Sequence, residues 1–313
     1  MDQGNSITDV IVVGAGITGI SCARLLAQAG RRVLVLDKGR RIGGRMATRR
    51  LPDRMILDHG AQYLRPRTPG FAALLAEAGS HAAPWPLDDG VVHVGQPGMS
   101  GLVRHLAEGL EVRQSAQVTA LAPLDDGWRV MLGDQAVDAR HLVLTIPPAQ
   151  ARALLGADHA LADALSRVAM LPSITLMAVL DRAAARPFVT RKGEGALAWI
   201  AQDSAKPGRP QDGPTGWVVQ SDPAFSAVHI DLPFDALAAM LAPMLLKAIG
   251  AQPEHLLQAV AHRWLYAQVD VPLGQPFLRQ GALWVGGDWC LGPRAEDGFH
   301  SGQAIAQDLL ART

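Results

Sequence analysis

Three glycines and one acid near the start of the chain have the types and spacing needed to hold a dinucleotide. Gly14, Gly16 and Gly19 form a Gly-x-Gly-x-x-Gly pattern, and Asp37 follows after room for one helix and one strand. Such glycines let the main chain turn sharply and approach a pyrophosphate, and the carboxylate can accept hydrogen bonds from ribose hydroxyls. The bare pattern also occurs in loops without a ligand, so the surrounding elements decide between the two interpretations.

The elements that this chemistry requires are predicted around the pattern. Residues 10–13 are a short apolar run typical of a buried parallel strand, and residues 17–29 predict a helix that ends at Gly30. Residues 32–36 predict a second strand with Asp37 at its carboxyl end. The order of strand, glycine turn, helix, strand and acid favours a nucleotide site over a ligand-free loop.

A second glycine pair distinguishes between the possible dinucleotides. Gly43 and Gly44 can bring the main chain close to a ligand, and the guanidinium of Arg45 offers a fork of donors to phosphate. A nicotinamide-binding unit needs no such element after its acid, whereas flavoproteins of the amine oxidase superfamily carry one. The alternative is a flexible basic turn, because further arginines surround the pair. The combination predicts FAD as the cofactor.

Composition limits the class of protein. A chain of 313 residues with 49% hydrophobic and 19% charged side chains can bury a large core and favours two domains. The 29 basic and 29 acidic residues cancel, which argues against a nucleic-acid or anionic-membrane partner. Nearly all basic residues are arginines, which suits phosphate contacts, although genomic base composition explains this bias equally well.

Cysteine use and hydropathy predict a cytoplasmic protein. Cys22 and Cys290 are too few for a disulfide framework and are expected to be reduced thiols. The amino terminus, MDQGNSITD, is polar and does not resemble a secretory signal. The richest apolar run, residues 236–249, is short for a membrane span and is interrupted by Pro243 and Lys247. We therefore expect no membrane partner.

The remaining chain predicts both helices and strands. Helices are predicted at residues 68–78, 102–110 with Ser100 as the cap, 234–250 and 253–261. Strands are predicted at residues 111–121, 127–132, 141–145, 173–180 and 216–220. Residues 206–214 are rich in proline and glycine and predict a surface loop. A strand leading into Gly286 and a helix from Gly298 through Leu310 return to the nucleotide fold.

The amino end of that last helix has two interpretations. It could stabilise the negative charge that builds on a reduced flavin, because a helix amino terminus carries a partial positive charge. The alternative is a terminal packing helix behind a glycine turn.

Four longer motifs carry a family resemblance. They are DHGAQYL at residues 58–64, VGQPGMSGLVRHL at 94–106, AHRWLYA at 261–267 and GGDWCLGPRAEDGFHSGQA at 286–304. They are spread over most of the chain, and PGMS, HRWLYA and GDWC are far more specific than the glycine turn. In these motifs the chain resembles bacterial renalases, small FAD-dependent oxidoreductases of the amine oxidase superfamily.

The resemblance implies a fold and an activity. The fold is α/β and p-hydroxybenzoate hydroxylase-like, with a Rossmann-type domain for noncovalent FAD and a mixed-sheet substrate domain. The FAD domain would comprise residues 1–70, 96–150 and 272–313, and the substrate domain residues 71–95 and 151–271. The activity would be hydride transfer to the flavin from 2- or 6-dihydro isomers of NAD(P), followed by reduction of O2 to H2O2. In such a reaction the protein has mainly to orient the substrate and to exclude water.

The partners implied are a reduced nicotinamide dinucleotide isomer and O2, and we expect a monomer or a weak dimer. The expected catalytic residues are His262, Gln62, Tyr63 and Tyr266. The expected FAD contacts are Gly14, Ala15, Gly16, Ile17, Thr18, Gly19, Asp37, Lys38, Gly44, Arg45, Met46, Gly60, Ala61, Gln62, Val118, Thr145, Gly287, Asp288, Ser301, Gly302, Gln303 and Ala304.

The catalytic assignments have structural alternatives. Strand alternation sends His262, Trp264 and Tyr266 to one face, which a conventional half-buried strand would explain without a catalytic role. Tyr63 could equally be a core tyrosine. His59 is a further candidate, whereas seven other histidines fit surface or packing roles: His81, His93, His105, His141, His159, His229 and His255.

Departures from the family pattern leave the substrate open. Gln220 and Phe225 stand where a His and a Trp are expected, and Phe299 and His300 precede the last helix in place of other residues. These positions are expected to face the pocket, so a related but distinct reduced substrate is an alternative.

Two further functions stay open. A true flavin amine oxidase would frame its substrate between two aromatic rings and use a lysine near the flavin, but the four lysines lie outside the site motifs. A catalytically idle flavin-binding or nucleotide-binding protein is the third possibility. The chain has no Cys or helical His pair at metal-ligand spacing, no G-x-S-x-G elbow and no basic-aromatic stripe. Metal, serine-nucleophile and nucleic-acid functions therefore find no support.

Overall fold

The computed structural model describes residues 8–52 and 55–313. The chain forms two compact units. The first comprises Met1–Gly44, Val103–Ala169 and Val269–Thr313, and the second comprises Arg45–Leu102 and Met170–Gln268. Residues 1–7, on which the prediction of no secretory signal largely rests, lie outside the described residues.

The described residues form seventeen strands and eight α-helices in mixed order. In chain order the strands are β1 Thr8–Val13, β2 Val33–Leu36, β3 Thr48–Arg50, β4 Ile56–Asp58, β5 Ala82–Leu87, β6 Gly90–Gly95, β7 Glu111–Arg113, β8 Ala120–Leu124, β9 Gly127–Leu132, β10 Gln135–Leu144, β11 Ala169–Leu180, β12 Thr190–Lys192, β13 Leu197–Gln202, β14 Thr215–Ser221, β15 Leu256–Val271, β16 Leu278–Gln280 and β17 Leu283–Val285. The helices are α1 Ile17–Gln28, α2 Pro69–Glu77, α3 Met99–Leu106, α4 Pro148–Leu155, α5 Ala162–Ser166, α6 Pro223–His229, α7 Phe234–Ile249 and α8 Ala295–Leu310.

A mixed eight-stranded sheet forms the centre of the first unit. Its main path runs β16–β17–β10–β1–β2–β7, and β9 and then β8 extend it from β10. The strands from β17 to β7 are parallel neighbours. The central strands are buried, which is why residues 10–13, 34–36 and 142–144 are uninterrupted apolar runs. The predicted strand, glycine turn, helix and strand are confirmed as β1, α1 and β2.

Helices α1 and α8 of the first unit approach most closely at Gly302. A Cβ added there would lie 2.2 Å from the carbonyl oxygen of Thr18. The next residue of α8, Gln303, donates a hydrogen bond to the carbonyl oxygen of Ser21 at 3.3 Å. The packing of the two helices therefore depends on a residue without a side chain at this position.

A five-stranded sheet, in the order β12–β13–β14–β11–β15, forms the centre of the second unit. Because side chains alternate along strands, the sheet has two different faces. One face carries an apolar core that includes Leu176, Trp217 and Val219 and packs against α7. The other carries Met177, Val179 and Val218, which pack against Met55 and Leu57 at β4.

Two hairpins complete the second unit. Strands β3 and β4 pair antiparallel, as do β5 and β6. Leu64, beyond β4, forms a bridge with His93 of β6. The segment that follows β4 is thus connected at its start to one hairpin and at its end to the other.

Most predicted elements are confirmed. The helix predicted at residues 68–78 is α2, with the Thr68 side chain accepting a hydrogen bond from the Phe71 amide at 3.4 Å. The helix predicted at residues 234–250 is α7, which ends at Gly250 in a left-handed conformation with φ of 71°. The strands predicted at residues 127–132, 141–145, 173–180 and 216–220 lie within or largely overlap β9, β10, β11 and β14.

Two predicted elements are wrong. Residues 253–261 are not a helix: a single 3₁₀ turn is followed by β15, because pairing with β11 outweighs the local helical pattern. The strand predicted at residues 111–121 is broken after Arg113, where the chain turns and Ser115 has φ of 55°.

Two helix starts and one loop also differ from the predictions. Helix α3 begins at Met99, so Ser100 lies inside it and does not cap it. Helix α8 begins at Ala295, so Gly298 lies within its first turns and does not open it. Residues 206–214 are not a simple surface loop, since Lys206 is fully buried and Arg209 is 5% exposed.

The compact units and the predicted domains divide the chain differently. Residues 45–70 and 96–102, predicted in the FAD domain, lie in the second unit, and residues 151–169, predicted in the substrate domain, lie in the first. Internal packing defines a compact unit, whereas contact with a ligand defines a cofactor or substrate domain. The functional division therefore stays a prediction.

Gly302→Ala should destabilise the protein, because the added methyl group would overlap the Thr18 carbonyl and force α1 and α8 apart. We expect a loss of about 1–3 kcal/mol in the free energy of unfolding, measured by urea titration with circular dichroism. Gln307→Ala, at an exposed position of the same helix, should change it by less than about 0.5 kcal/mol. Equal stability of both variants would contradict the close contact.

Candidate functional site

The glycine turn of the first unit leaves the start of α1 open. Gly14 has φ of 112°, and a Cβ at Gly19 would lie 2.0 Å from the Gly14 carbonyl oxygen, so both positions require glycine. Gly16 is the N-cap of α1, and a Cβ there would meet no atom within 4 Å. Because amides at a helix start favour an anion, this open turn fits the pyrophosphate of a dinucleotide.

Asp37 lies beside the glycine turn, as predicted. Its carboxylate accepts hydrogen bonds from the amides of Ala15 and Gly39, both at 2.6 Å. The second glycine pair also reaches this turn, since the Gly43 amide donates to the Ala15 carbonyl at 3.0 Å. A Cβ at Gly44 would lie 3.2 Å from the Gly16 Cα. The structure thus brings together the two patterns that predicted FAD.

Three more predicted FAD contacts lie in the first unit, and one of them, Thr145, supports the same turn. The Thr145 hydroxyl donates to the carbonyl oxygens of Val13 and Gly14 at 3.0 and 3.1 Å. The Lys38 ammonium donates to the Gln150 side chain at 3.2 Å. Val118 is buried. Thr145 therefore fixes the glycine turn from the end of β10.

The segment after β17 packs against the start of α1. The Ser301 hydroxyl accepts a hydrogen bond from the Gly287 amide at 3.0 Å and donates to the Pro276 carbonyl at 2.7 Å. A Cβ at Gly298 would lie 2.9 Å from side-chain atoms of Ile17 and Thr18. Ser301, Gly302 and Gln303 serve helix packing here, and their contact with FAD stays a prediction.

A fully buried charge cluster lies in the second unit. It consists of Asp58, Asp203, Lys206 and Arg209. The Asp58 carboxylate accepts from Lys206 at 3.0 Å and from Arg209 at 2.6 Å. The Asp203 carboxylate accepts from the same two cations at 2.6 and 3.1 Å. Two carboxylates and two cations give no net charge, which makes the burial tolerable.

Asp58 also orders the segment that contains the PGMS motif. Its other oxygen accepts hydrogen bonds from the Met99 amide at 2.9 Å and the Thr48 hydroxyl at 2.7 Å. Burial alone would raise the pKa of Asp58, but Lys206 and Arg209 hold this pKa below its usual value. Asp58 therefore stays ionised and joins β4 to the start of α3.

The segment after β4 crosses the polar end of one sheet face. The carbonyl oxygen of His59 accepts hydrogen bonds from the Thr175 hydroxyl at 3.0 Å and the Trp264 indole at 2.8 Å. The carbonyl oxygen of Gly60 accepts from the side chains of Gln220 at 2.7 Å and Gln62 at 3.0 Å. Side chains of β11, β15 and β14 thus fix the main chain of the DHGAQYL motif.

An aromatic cluster surrounds the predicted catalytic histidine of β15. It consists of His59, Phe234, His262 and Trp264. The His262 ring lies 4.7 Å from the His59 ring and 4.5 Å from the Trp264 ring, measured between centroids. His59 and Trp264 are stacked at 5.4 Å. The cluster runs from His59, 8% exposed, to Phe234, 43% exposed.

Both imidazoles of the aromatic cluster are held neutral. Burial, together with His262 and Arg49, lowers the pKa of His59 to about 3. Burial, Arg49 and Arg263 lower the pKa of His262 to about 4. The Nδ1 atom of His59 is buried without a hydrogen-bond partner. Neutral rings of this kind can pack against a ligand and offer it one hydrogen bond each.

Four more predicted residues lie in the second unit. The Tyr63 ring lies 5.8 Å from the Trp199 ring of β13, and Tyr266 is half-buried on β15 beyond Trp264. Phe225, predicted to face the pocket, packs instead against the apolar core at α7, because α6 covers that side of the sheet. Gln220 lies on the opposite face, where it contacts the DHGAQYL segment.

The two other departures lie within α8 of the first unit. Phe299 is buried, and its ring centroid lies 5.1 Å from that of His300. His300 lies 3.8 Å from the Glu296 carboxylate. Whether either faces a substrate stays a prediction.

Sequence reasoning missed the buried charge cluster and the role of Trp264. The cluster had a signal, because Asp203, Lys206 and Arg209 follow one another at three-residue spacing within a segment dominated by Pro and Gly. The sequence pattern indicates only that Trp264 shares a strand face with His262. Its indole hydrogen bond to a residue 205 positions away has no local signature.

Both cysteines are free and buried, as predicted. Burial raises the pKa of the Cys290 thiol to about 12, so neither nucleophilic attack nor flavin attachment is expected there. Within residues 8–52 and 55–313, no helix has the length and apolar character to cross a membrane. The same residues contain no group of three or more His, Cys, Asp or Glu side chains that could hold a metal ion.

Gly16→Ala should weaken FAD binding without lowering the stability of the FAD-free protein. The methyl group meets no protein atom but would occupy the open turn at the start of α1. We expect the FAD dissociation constant, measured by flavin fluorescence titration, to rise about tenfold or more. Gln28→Ala, at the exposed other end of the helix, serves as the control for FAD affinity. Unchanged affinity in Gly16→Ala would contradict the pyrophosphate site.

His59 should make stability depend on pH. Its pKa is lower in the folded protein than the ordinary value of 6.5, so the unfolded chain binds more protons between about pH 6.5 and 3. Stability should fall as the pH falls through this window, with His59 contributing about 1.4 kcal/mol per pH unit at most. Urea titrations at pH 7.0 and 5.0 should show a smaller loss in His59→Gln than in the wild type. An identical loss in both proteins would contradict a neutral His59.

Comparisons with known sequences agree with the two glycine patterns. Residues 87–310 match the family described as "Flavin containing amine oxidoreductase", and residues 12–78 match "NAD(P)-binding Rossmann-like domain". The chain is 38% identical over 84 residues to an L-amino acid dehydrogenase from Synechocystis sp., covering 27% of this chain and 18% of that protein. It is 42% identical over 71 residues to putrescine oxidase from Kocuria rosea, covering 23% and 15%. Each alignment spans less than a fifth of the relative's length.

Solved structures show the same fold over nearly the whole chain. A putative protoporphyrinogen oxidase from Exiguobacterium sp. 255-15 has a TM-score of 0.81 at 14% identity, covering 99% of this chain and 100% of that one. Cyclohexylamine oxidase from Brevibacterium oxydans IH-35A has a TM-score of 0.74 at 14% identity, covering 97% and 100%. Because the identities are this low, these matches establish the fold alone. They confirm the predicted α/β class with a Rossmann-like unit.

The family match covers more than half of the chain and includes α8, most members of both clusters and none of the residues before position 87. The chain therefore belongs to the flavin containing amine oxidoreductase family, and its cofactor, as predicted, is noncovalently bound FAD.

Proposed function

We propose that the protein oxidises 2- or 6-dihydro isomers of NAD(P) to NAD(P)⁺. In the balanced reaction, one dihydro-NAD(P), one O2 and one proton give NAD(P)⁺ and H2O2. Bound FAD supplies the redox chemistry by accepting the hydride and passing two electrons to O2. The renalase-like motifs support this substrate, and two of them, at residues 58–64 and 261–267, contribute side chains to the charge and aromatic clusters of the second unit.

The observation that carries the proposal is the charge around the aromatic cluster. His59 and His262 are neutral at pH 7; the cation Arg49 lowers the pKa of both and Arg263 lowers that of His262, whereas Asp58 raises that of His59. The Asp58 carboxylate is neutralised within the buried charge cluster. The aromatic cluster therefore lies in a positive field, which attracts a dinucleotide pyrophosphate and repels an ammonium substrate.

The chemistry of hydride transfer fits neutral aromatic side chains. A dihydropyridine ring is flat and uncharged, and no proton must be removed from it before the hydride leaves. The rings of His262 and Trp264 can orient such a ring by packing, and the free Nδ1 of His59 can hydrogen-bond its carboxamide. Gln62, Tyr63 and Tyr266 remain proposed site residues in the same unit.

The proposed FAD contacts follow the predictions. The glycine turn and Asp37 would hold the pyrophosphate and the adenosine ribose, with Gly44, Arg45 and Met46 beside them. Gly60, Ala61 and Gln62 would contact the flavin ring.

An amine oxidase is the second candidate function. Putrescine oxidase and cyclohexylamine oxidase, which share the fold, carry names that point to amine substrates. A small neutral amine could pack against the same aromatic cluster. The positive field of Arg49 and Arg263 argues against it, because amines of this kind are mostly protonated at pH 7.

Anaerobic flavin bleaching tests the choice of substrate. The purified yellow protein is mixed with 2-dihydro-NAD(P), 6-dihydro-NAD(P), ordinary NAD(P)H and a panel of amines, and flavin absorbance is followed in a stopped-flow instrument. We expect rapid bleaching by the 2- or 6-dihydro isomers. Rapid bleaching by amines alone would refute the proposal, and bleaching by no compound would indicate a catalytically idle flavoprotein.

Arg49→Gln should weaken binding of the dinucleotide substrate. Because a guanidinium that faces a phosphate contributes a charge-assisted contact, we expect KM for the dihydro isomer to rise about tenfold, with a smaller effect at high salt. Arg50→Gln is the matched control, since Arg50 is also exposed but points to the other side of β3. Equal KM values for the two variants would contradict a role of Arg49 in substrate binding.

A further inference from the structure

The ammonium of Lys206 has a partner for each of its three hydrogens. It donates to Asp58 at 3.0 Å, to Asp203 at 2.6 Å and to the side-chain oxygen of Gln62 at 3.5 Å. Lys206 is fully buried, and its nitrogen lies 5.8 Å from the centre of the Trp85 ring. An ammonium has three donors and no acceptor, so all of its hydrogen-bonding capacity is used within the protein.

The Gln62 side chain is equally constrained. Its amide nitrogen donates to the carbonyl oxygens of Asp58 at 2.6 Å and Gly60 at 3.0 Å, and its oxygen faces Lys206. Rotating the amide by half a turn would bring its NH2 group against the ammonium and leave two carbonyls opposite an oxygen. Lys206 thus acts together with the two carbonyl oxygens to set which way the amide of Gln62 points.

The main chain at Gly60 is determined from three sides. Its carbonyl oxygen accepts from Gln62 and Gln220, and a Cβ at this position would lie 1.9 Å from the Arg45 carbonyl oxygen. The Ala61 amide donates to that same Arg45 carbonyl at 2.8 Å. The peptide between Gly60 and Ala61 therefore has one orientation, to which the amide of Gln62 contributes one of the holding contacts.

From these contacts we infer that Lys206 is a positioning residue, which acts through Gln62 to fix the Gly60–Ala61 peptide where it contacts the flavin ring. Lys206 itself has no donor left for the flavin or a substrate, so it is not a catalytic residue. The inference rests on the proposed function only for the contact between this peptide and the flavin. The buried charge cluster thereby has a second role besides stability. It orients the Gln62 side-chain amide, which holds the Gly60–Ala61 peptide by a hydrogen bond.

The test compares Gln62→Met, the charge-neutral double variant Lys206→Met/Asp203→Asn, and the triple variant. The double variant removes one charge of each sign, so the Asp58–Arg209 pair is retained. We expect the FAD dissociation constant to rise about tenfold in the double variant and in Gln62→Met, with the same change in the visible circular dichroism of bound flavin. The triple variant should be no worse than Gln62→Met, because Lys206 acts through Gln62.

Two outcomes would overturn the inference. One is wild-type FAD affinity and flavin dichroism in the double variant, and the other is a triple variant whose loss of affinity is the product of the two separate losses. Lys192→Met, at an exposed lysine of β12, is the control. If the double variant does not fold, Gln62→Asn withdraws the amide from Lys206 while leaving every charge in place, and wild-type values there would also overturn the inference. FAD affinity does not depend on which substrate is oxidised, so a wrong substrate proposal leaves this test intact.

Discussion

The buried charge cluster is the constraint on which the second unit depends. Asp58, Asp203, Lys206 and Arg209 are buried and lose nearly all of their hydration, so each needs its partners in place. Removing one member of such a group leaves an uncompensated buried charge and costs about 3–5 kcal/mol. Through Asp58 the cluster joins β4 to α3, and through Lys206 it reaches Gln62. The contacts that stabilise the second unit therefore also fix the geometry of its DHGAQYL segment.

The two faces of the five-stranded sheet differ: one contributes mainly to stability, and the other carries the candidate site residues. One face is apolar and packs against α7, as a conventional core does. The other face begins as a core at Val179 and Val218 and becomes polar at Thr175, Gln220 and His262. The polar side chains are used mostly to hold main-chain carbonyls of the segment that crosses them. A main chain held in this way presents a fixed surface to a ligand, which is what hydride transfer requires.

Local patterns predicted the first unit better than the second. The glycine turn, α1 and Asp37 are contiguous in the sequence, and their chemistry depends on spacing that can be counted. The fold class followed from the same segment and from the quoted motifs. Residues 253–261 were predicted as a helix because nothing local announces their pairing with β11. The charge cluster joins Asp58 to a segment about 150 positions away, and periodicity carries no information about such a contact.

Charge explains why His59, although it is next to Asp58 in the chain, does not become a cation. An unpaired Asp58 would raise the pKa of His59 and could protonate it near neutral pH. Lys206 and Arg209 are paired with that carboxylate, and burial, His262 and Arg49 outweigh its remaining effect, so the pKa of His59 falls to about 3. The aromatic cluster is then a neutral surface in a positive field. Such a surface disfavours a cationic amine and favours an uncharged ring attached to a pyrophosphate, which supports the proposed dihydronicotinamide dinucleotide substrate.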